Sequence, residues 1–207
     1  MASIELLEDG YSPAKVAAAR DYFVVISGCS GGGKSSLIHE LAARGYRVFA
    51  EPGRQIVKEQ NFIGGDGIPS LDVHKFVELC VSRTMHNMIM AAETTSYVFF
   101  DRSIIDNVNG LQRMASGAPQ HLIKAMETFR YAKKVFMTPP WPELFRTDAE
   151  RTHSYDAAVA EYETLVPAYE RLGHEVIVLP KTSVKERVDL ILKELGSSAM
   201  LRLLPRP

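Results

Sequence analysis

The sequence has no surplus of positive charge. Lys and Arg number 24 against 25 Asp and Glu, a net charge of -1. A nucleic-acid binder usually carries a basic excess, so none is expected as a partner. Long apolar runs are missing too. None approaches the roughly 20 residues that span a bilayer, and Met1–Gly10 has no basic start of a secretory signal. Cysteine is scarce: Cys29 and Cys80 lie far apart and fit no metal-ligand spacing. These absences read as a soluble, cytoplasmic protein with no membrane partner. There is no internal repeat, no low-complexity tract, and no N-K-x-D tetrad of the kind that reads guanine in regulatory GTPases.

What is there is ordinary globular chain, 207 residues with 46% hydrophobic and 24% charged, enough for one sizeable core. Five short apolar runs read as buried strands: Tyr22–Ile26, Tyr46–Ala50, Tyr97–Phe100, Lys134–Met137 and Glu175–Leu179. None alternates cleanly with polar residues, which is the look of parallel strands covered on both faces. Helical spacing falls between them, over Lys34–Arg44, Val73–Thr94, Ala157–Leu172 and Val184–Leu195. Alternating strands and helices predict a three-layer α/β/α sandwich around a five-stranded, mostly parallel sheet. One domain is expected. Residues 1–20 read as an N-terminal extension, 60–72 as a mobile loop, 142–155 as a lid and 197–207 as a tail.

One segment carries specific chemistry. Gly28-Cys29-Ser30-Gly31-Gly32-Gly33-Lys34-Ser35 fits G-x-x-x-x-G-K-[ST] in full, with an apolar strand entering and an amphipathic helix leaving. Glycines let successive backbone N–H groups turn inward around an anion, and the helix start adds partial positive charge. Lys34 supplies a cation for the terminal phosphates, Ser35 a hydroxyl for magnesium, and Ser36 a donor to an inner phosphate. The bound group is read as Mg-ATP, with GTP as the alternative.

Two strand ends aim acids toward the same crevice. Tyr97-Val98-Phe99-Phe100 ends in Asp101, a carboxylate for the magnesium or a simple cap on the next turn. Arg102 follows, either to hold an acceptor or to bridge locally to Asp106. Arg47-Val48-Phe49-Ala50 ends in Glu51, suited to accept a proton from an attacking hydroxyl, or else a solvated strand-end acid. Pro52 stops that strand, and Arg54 and Gln55 are candidates to face an acceptor. After the prolines around Trp141, Arg146 and Arg151 are candidates to reach the transferring phosphoryl group, Arg151 first. Trp141 either stacks on a base or packs beneath a lid.

Glu51-Pro52 and Asp101-Arg102-Ser103 resemble the EP and ERS signatures of deoxynucleoside kinases, with Asp standing for Glu in the second. That likeness implies Glu51 as general base and Arg102 at the acceptor; Asp101 is the alternative base beside Glu51. The whole of residues 20–196 is similar to the NadR-type AAA ATPase/kinase family of small P-loop proteins. The stretches that carry it are the P-loop, Glu51-Pro52-Gly53-Arg54, Phe100-Asp101-Arg102-Ser103, Pro139-Pro140-Trp141, Thr147-Asp148-Ala149-Glu150-Arg151-Thr152 and Leu179-Pro180-Lys181-Thr182-Ser183-Val184. The resemblance implies a kinase-like strand order of 2-3-1-4-5, a short lid, and phosphoryl transfer to a nucleoside-like acceptor. A cytidylate-kinase-like enzyme acting on a nucleotide, and a nucleotide-dependent ATPase or GTPase switch without a small-molecule acceptor, stay open beside it.

Overall fold

The computed structural model describes residues 11–114, 116–145 and 154–196. Five strands form one parallel sheet: β1 (Phe23–Gly28), β2 (Arg47–Phe49), β3 (Val98–Asp101), β4 (Lys134–Thr138) and β5 (Glu175–Val178). Their order is β2-β3-β1-β4-β5, as the family resemblance implies. Register is fixed by pairs such as Val25 with Phe100 and Val25 with Val135.

Side chains alternate across β1, and the core divides accordingly. Phe23 and Val25 join the larger apolar cluster, while Val24 and Ile26 join the smaller one. The larger cluster packs under α1 (Pro13–Ala19), α4 (Val73–Met90), α5 (Ile104–Gln112), α6 (Gln120–Thr128) and α7 (Tyr155–Arg171). The smaller lies under α2 (Lys34–Ala43) and α8 (Val184–Glu194). The first four residues of β1, Phe23–Ile26, are fully buried, which explains its unbroken apolar run. No described helix is long and apolar enough to cross a membrane.

Several segments differ from the sequence reading, each for a local reason. Pro52 does not merely end a strand. It opens α3 (Pro52–Ile63), with Glu51 as the N-cap, because a fixed φ suits the first helical position. Arg54 and Gln55 therefore sit on a helix. The predicted loop is also shorter, since α3 runs through Ile63 and ends at Gly64 in the left-handed conformation. Beyond it, Gln60 Oε1 accepts from the Gly67 amide at 3.0 Å and ties the turn back to α3. Helix α5 was hidden by two asparagines and a glycine, yet Ser103 and Asp106 form a capping box at its start. Helix α1 occupies part of the segment read as an extension. Of the predicted lid, Pro142–Leu144 forms a single 3₁₀ turn and Ser154 caps α7.

Candidate active site

The glycine loop is shaped by its neighbours in the sheet. Gly28 has φ +120°, and a Cβ there would lie 2.2 Å from the Thr138 carbonyl oxygen. A Cβ on Gly32 would meet Thr138 Oγ1 at 2.6 Å. Strand β4 thus leaves room only for glycine, and the Cys29 amide donates to the Thr138 carbonyl at 3.0 Å to fix the turn. Gly33, with φ +87°, is the N-cap of α2.

Lys34 is buried and reaches back across the loop, where Nζ donates to the carbonyls of Gly28 at 3.0 Å and Cys29 at 2.9 Å. Burial lowers its pKa and the Arg102 charge lowers it further, against the opposing pull of Asp101, Glu51 and Glu161. A cation so held would gain from an arriving polyanion. Ser35 Oγ donates to Asp101 Oδ2 at 3.4 Å, so the loop hydroxyl and the β3 carboxylate meet as the motif requires.

Asp101 is buried, and its Oδ1 has no hydrogen-bond partner among the described residues. Burial first, and then the charge of Glu51, push its pKa up to about 6 from 3.8. An orphaned carboxylate oxygen beside a serine hydroxyl fits a magnesium ion completed by phosphate oxygens and water. The described residues hold no cluster of three or more His, Cys, Asp or Glu able to bind a metal unaided.

Arg102 is the hub of the opposite wall. Its Nε lies 3.1 Å from Glu51 Oε1, and Nη1 lies 3.0 Å from Glu161 Oε1 and 3.4 Å from Asp106 Oδ1. Burial alone would lower its pKa, but Glu161, Glu51, Asp106 and Asp101 together hold it well above the ordinary value. It is the one non-glycine residue with positive φ, +68°, among the described residues. Such backbone strain is kept where surrounding contacts over-determine it. Asp106 supplies them: it accepts from Ser27 Oγ at 2.5 Å, from Ser103 N and Oγ at 2.9 Å each, and from Tyr169 OH at 2.5 Å. The bridge from Arg102 to Asp106 and the contact from Arg102 to Glu51 therefore coexist.

A cleft of about 700 Å³ joins these parts. One end is the loop, with Ser30, Gly31, Gly33, Lys34, Ser35 and Ser36 along it; Glu51, Arg54, Arg102 and Glu161 stand midway. The far end is apolar, formed by Val57 of α3, Val73, Phe76 and Val77 of α4 and Leu111 of α5. Gln55 does not line the cleft; it is exposed and accepts from Arg83 at 3.2 Å, away from the acceptor position expected for it. Cys29, within the loop, is buried. Arg146 and Arg151 lie outside the described residues.

Sequence reasoning missed two contributors, Glu161 and Arg187, and gave a third only a local role. Glu161 was inconspicuous among many acids, and Asp106 was read only as a local bridge to Arg102, although the S-x-x-D spacing from Ser103 was a usable signal for its cap. Arg187 of α8 is buried against the loop, donates from Nη1 to the Gly32 carbonyl at 3.1 Å, and stacks on Trp141 with 5.3 Å between guanidinium carbon and ring centre. Nothing in its local sequence marks it, because the contact spans 155 positions.

Comparison with known proteins agrees with this geometry. No curated protein matches the sequence significantly. Among solved structures, NadR in complex with NR is similar with a TM-score of 0.63 at 15% identity, over 91% of this chain and 53% of that one. The chain thus spans about half of NadR. Thymidylate kinase from Ehrlichia chaffeensis gives 0.55 at 16% identity, covering 84% of this chain and 98% of its own. Deoxyadenosine kinase from M. mycoides, with products dCMP and a flexible dCDP bound, gives 0.52 at 19% identity, over 84% and 99%. At such identities the likeness establishes a shared P-loop kinase fold. A family model described as an AAA domain matches residues 23–187, and the chain belongs to that family.

Proposed function

We propose that the protein is a small-molecule kinase that transfers the terminal phosphoryl group of Mg-ATP to a nucleoside-like or nucleotide acceptor. The observation that carries this reading is the continuous cleft, which leads from a phosphate cradle past two carboxylates and an arginine to an apolar recess. A switch that only hydrolyses nucleotide has no need of that recess. The kinases among the similar structures agree with it.

In this reading the loop amides and Lys34 bind the triphosphate, and Ser35 and Asp101 hold magnesium. When bound, the metal neutralises charge on the terminal phosphates. The acceptor lies with its flat apolar part against Phe76 and its hydroxyl toward Glu51. Glu51 takes the hydroxyl proton as the oxygen attacks phosphorus and the bond to the leaving diphosphate breaks. Arg102 orients Glu51 and faces the acceptor.

The deciding experiment follows the label of terminally labelled ATP, with magnesium, across a panel of nucleosides, nucleotides and vitamin ribosides. Transfer to one of them is expected. Release of inorganic phosphate with no acceptor labelled would sink the kinase reading in favour of a switch.

A further inference from the structure

Arg187 is the second cation at the glycine loop, and no proposed step yet uses it. It is 1% exposed, an extreme for arginine. Buried arginines are normally paired with an anion, because an unpaired buried charge is costly. This one has no carboxylate partner among the described residues, and its Nε makes no hydrogen bond there. Burial with no nearby anion pulls its pKa below the ordinary value. The Gly32 carbonyl takes Nη1, leaving much of a five-donor fork unspent.

The guanidinium also sits directly behind the glycine loop. Its Nη2 and Nη1 lie 3.0 and 3.3 Å from the point that a Cβ on Gly33 would occupy. Gly33 lines the cleft and caps α2. The fork therefore packs directly against the Gly33 backbone, beside Leu144, whose Cδ1 lies 3.5 Å from the same point. Position in the fold agrees. The acceptor recess lies on the α3–α4–α5 side of β1, whereas Trp141 and Arg187 follow β4 and β5 on the other side. A nucleotide with its terminal phosphate toward the recess must run out past Gly33 toward this pair.

We propose that Arg187 is a second phosphate-binding cation of the loop, contacting the inner phosphates of a nucleoside triphosphate beside Gly33, and that Trp141 stacked on it registers the arrival. This rests on the reading that the loop holds a nucleoside triphosphate. The ligand supplies the counter-charge the guanidinium lacks, in a low-dielectric setting where that pairing is strong.

Trp141 is the single tryptophan of the chain, so its emission isolates the event. The test titrates the protein with a non-hydrolysable ATP analogue and magnesium, following fluorescence and, separately, equilibrium dialysis. Wild-type emission is expected to change with the same midpoint as dialysis. Arg187→Met is expected to weaken binding at least tenfold, and Arg187→Lys less. Binding by R187M within twofold of wild type would overturn the proposal, as would wild-type binding by dialysis with unchanged emission. R187M should fold, since replacing an unpaired buried charge by an apolar side chain of similar length is neutral or stabilising. Should it not, the wild-type arm decides alone. Wild-type protein that retains no analogue on dialysis overturns the loop reading and this proposal together, whereas an unaffected R187M overturns only the second.

Discussion

Arg102 Nε lies 3.1 Å from Glu51 Oε1, joining the residue after β3 to the residue before α3. The contact holds the Glu51 carboxylate against the cleft wall that both residues line. Glu51→Gln keeps the size and loses the charge. Turnover with the acceptor is expected to fall by about 10²–10⁴-fold while ATP affinity stays near wild type. Full turnover in this variant would transfer the role of base to Asp101.

Lys34→Ala should abolish triphosphate binding and leave the fold intact. The ammonium is buried and carries a desolvation penalty, so its removal is not expected to lower the melting temperature. Calorimetric titration with the ATP analogue checks the first statement and thermal melting the second. Undiminished affinity would count decisively against the loop as the nucleotide site.

Asp101 gives the ligand-free protein a defined pH dependence. Its folded pKa, about 6, exceeds the ordinary 3.8. The native state therefore keeps the proton longer than the unfolded chain, and stability falls as pH rises from about 4 to 6. Asp101→Asn removes this term. It should match wild type near pH 4 and exceed it at pH 8 by up to about 3 kcal/mol in denaturant unfolding. Magnesium-dependent nucleotide binding by wild type should weaken below about pH 6, where the carboxylate takes up a proton. A D101N variant no more stable than wild type at pH 8 would contradict this account.

Asp106→Ala should be among the most damaging changes outside the loop. The carboxylate is buried and accepts from Ser27, Ser103 and Tyr169 at once. Its loss leaves those donors unsatisfied and frees Arg102 to relax from its left-handed backbone. Destabilisation of about 2–4 kcal/mol is expected from chemical denaturation. A loss under about 0.5 kcal/mol would mean that water replaces the network at little cost.

The sheet was legible in the sequence because parallel strands buried on both faces must be nearly all apolar, as Phe23–Ile26 and Val98–Phe100 are. The loop was legible because its glycines and Lys34-Ser35 are contiguous. Helix α3 was misread because Pro52 both ends extended chain and begins helices, and the sequence alone does not say which. Glu161 and Arg187 escaped because their work is done across 59 and 155 positions of chain, a separation to which local patterning is blind. Gln55 shows the reverse error: nearness in sequence to Glu51 does not carry it into the cleft, since one helical turn points it toward Arg83.

The apolar recess is hung on α3, α4 and α5, while the phosphate cradle is clamped between β1 and β4 by Thr138. In the proposed reaction, recognition and reactivity are thus drawn from separate stretches of polypeptide. On that reading, a change of acceptor would rework Val57, Val73 or Phe76 and leave the glycine loop and its Thr138 clamp as they are.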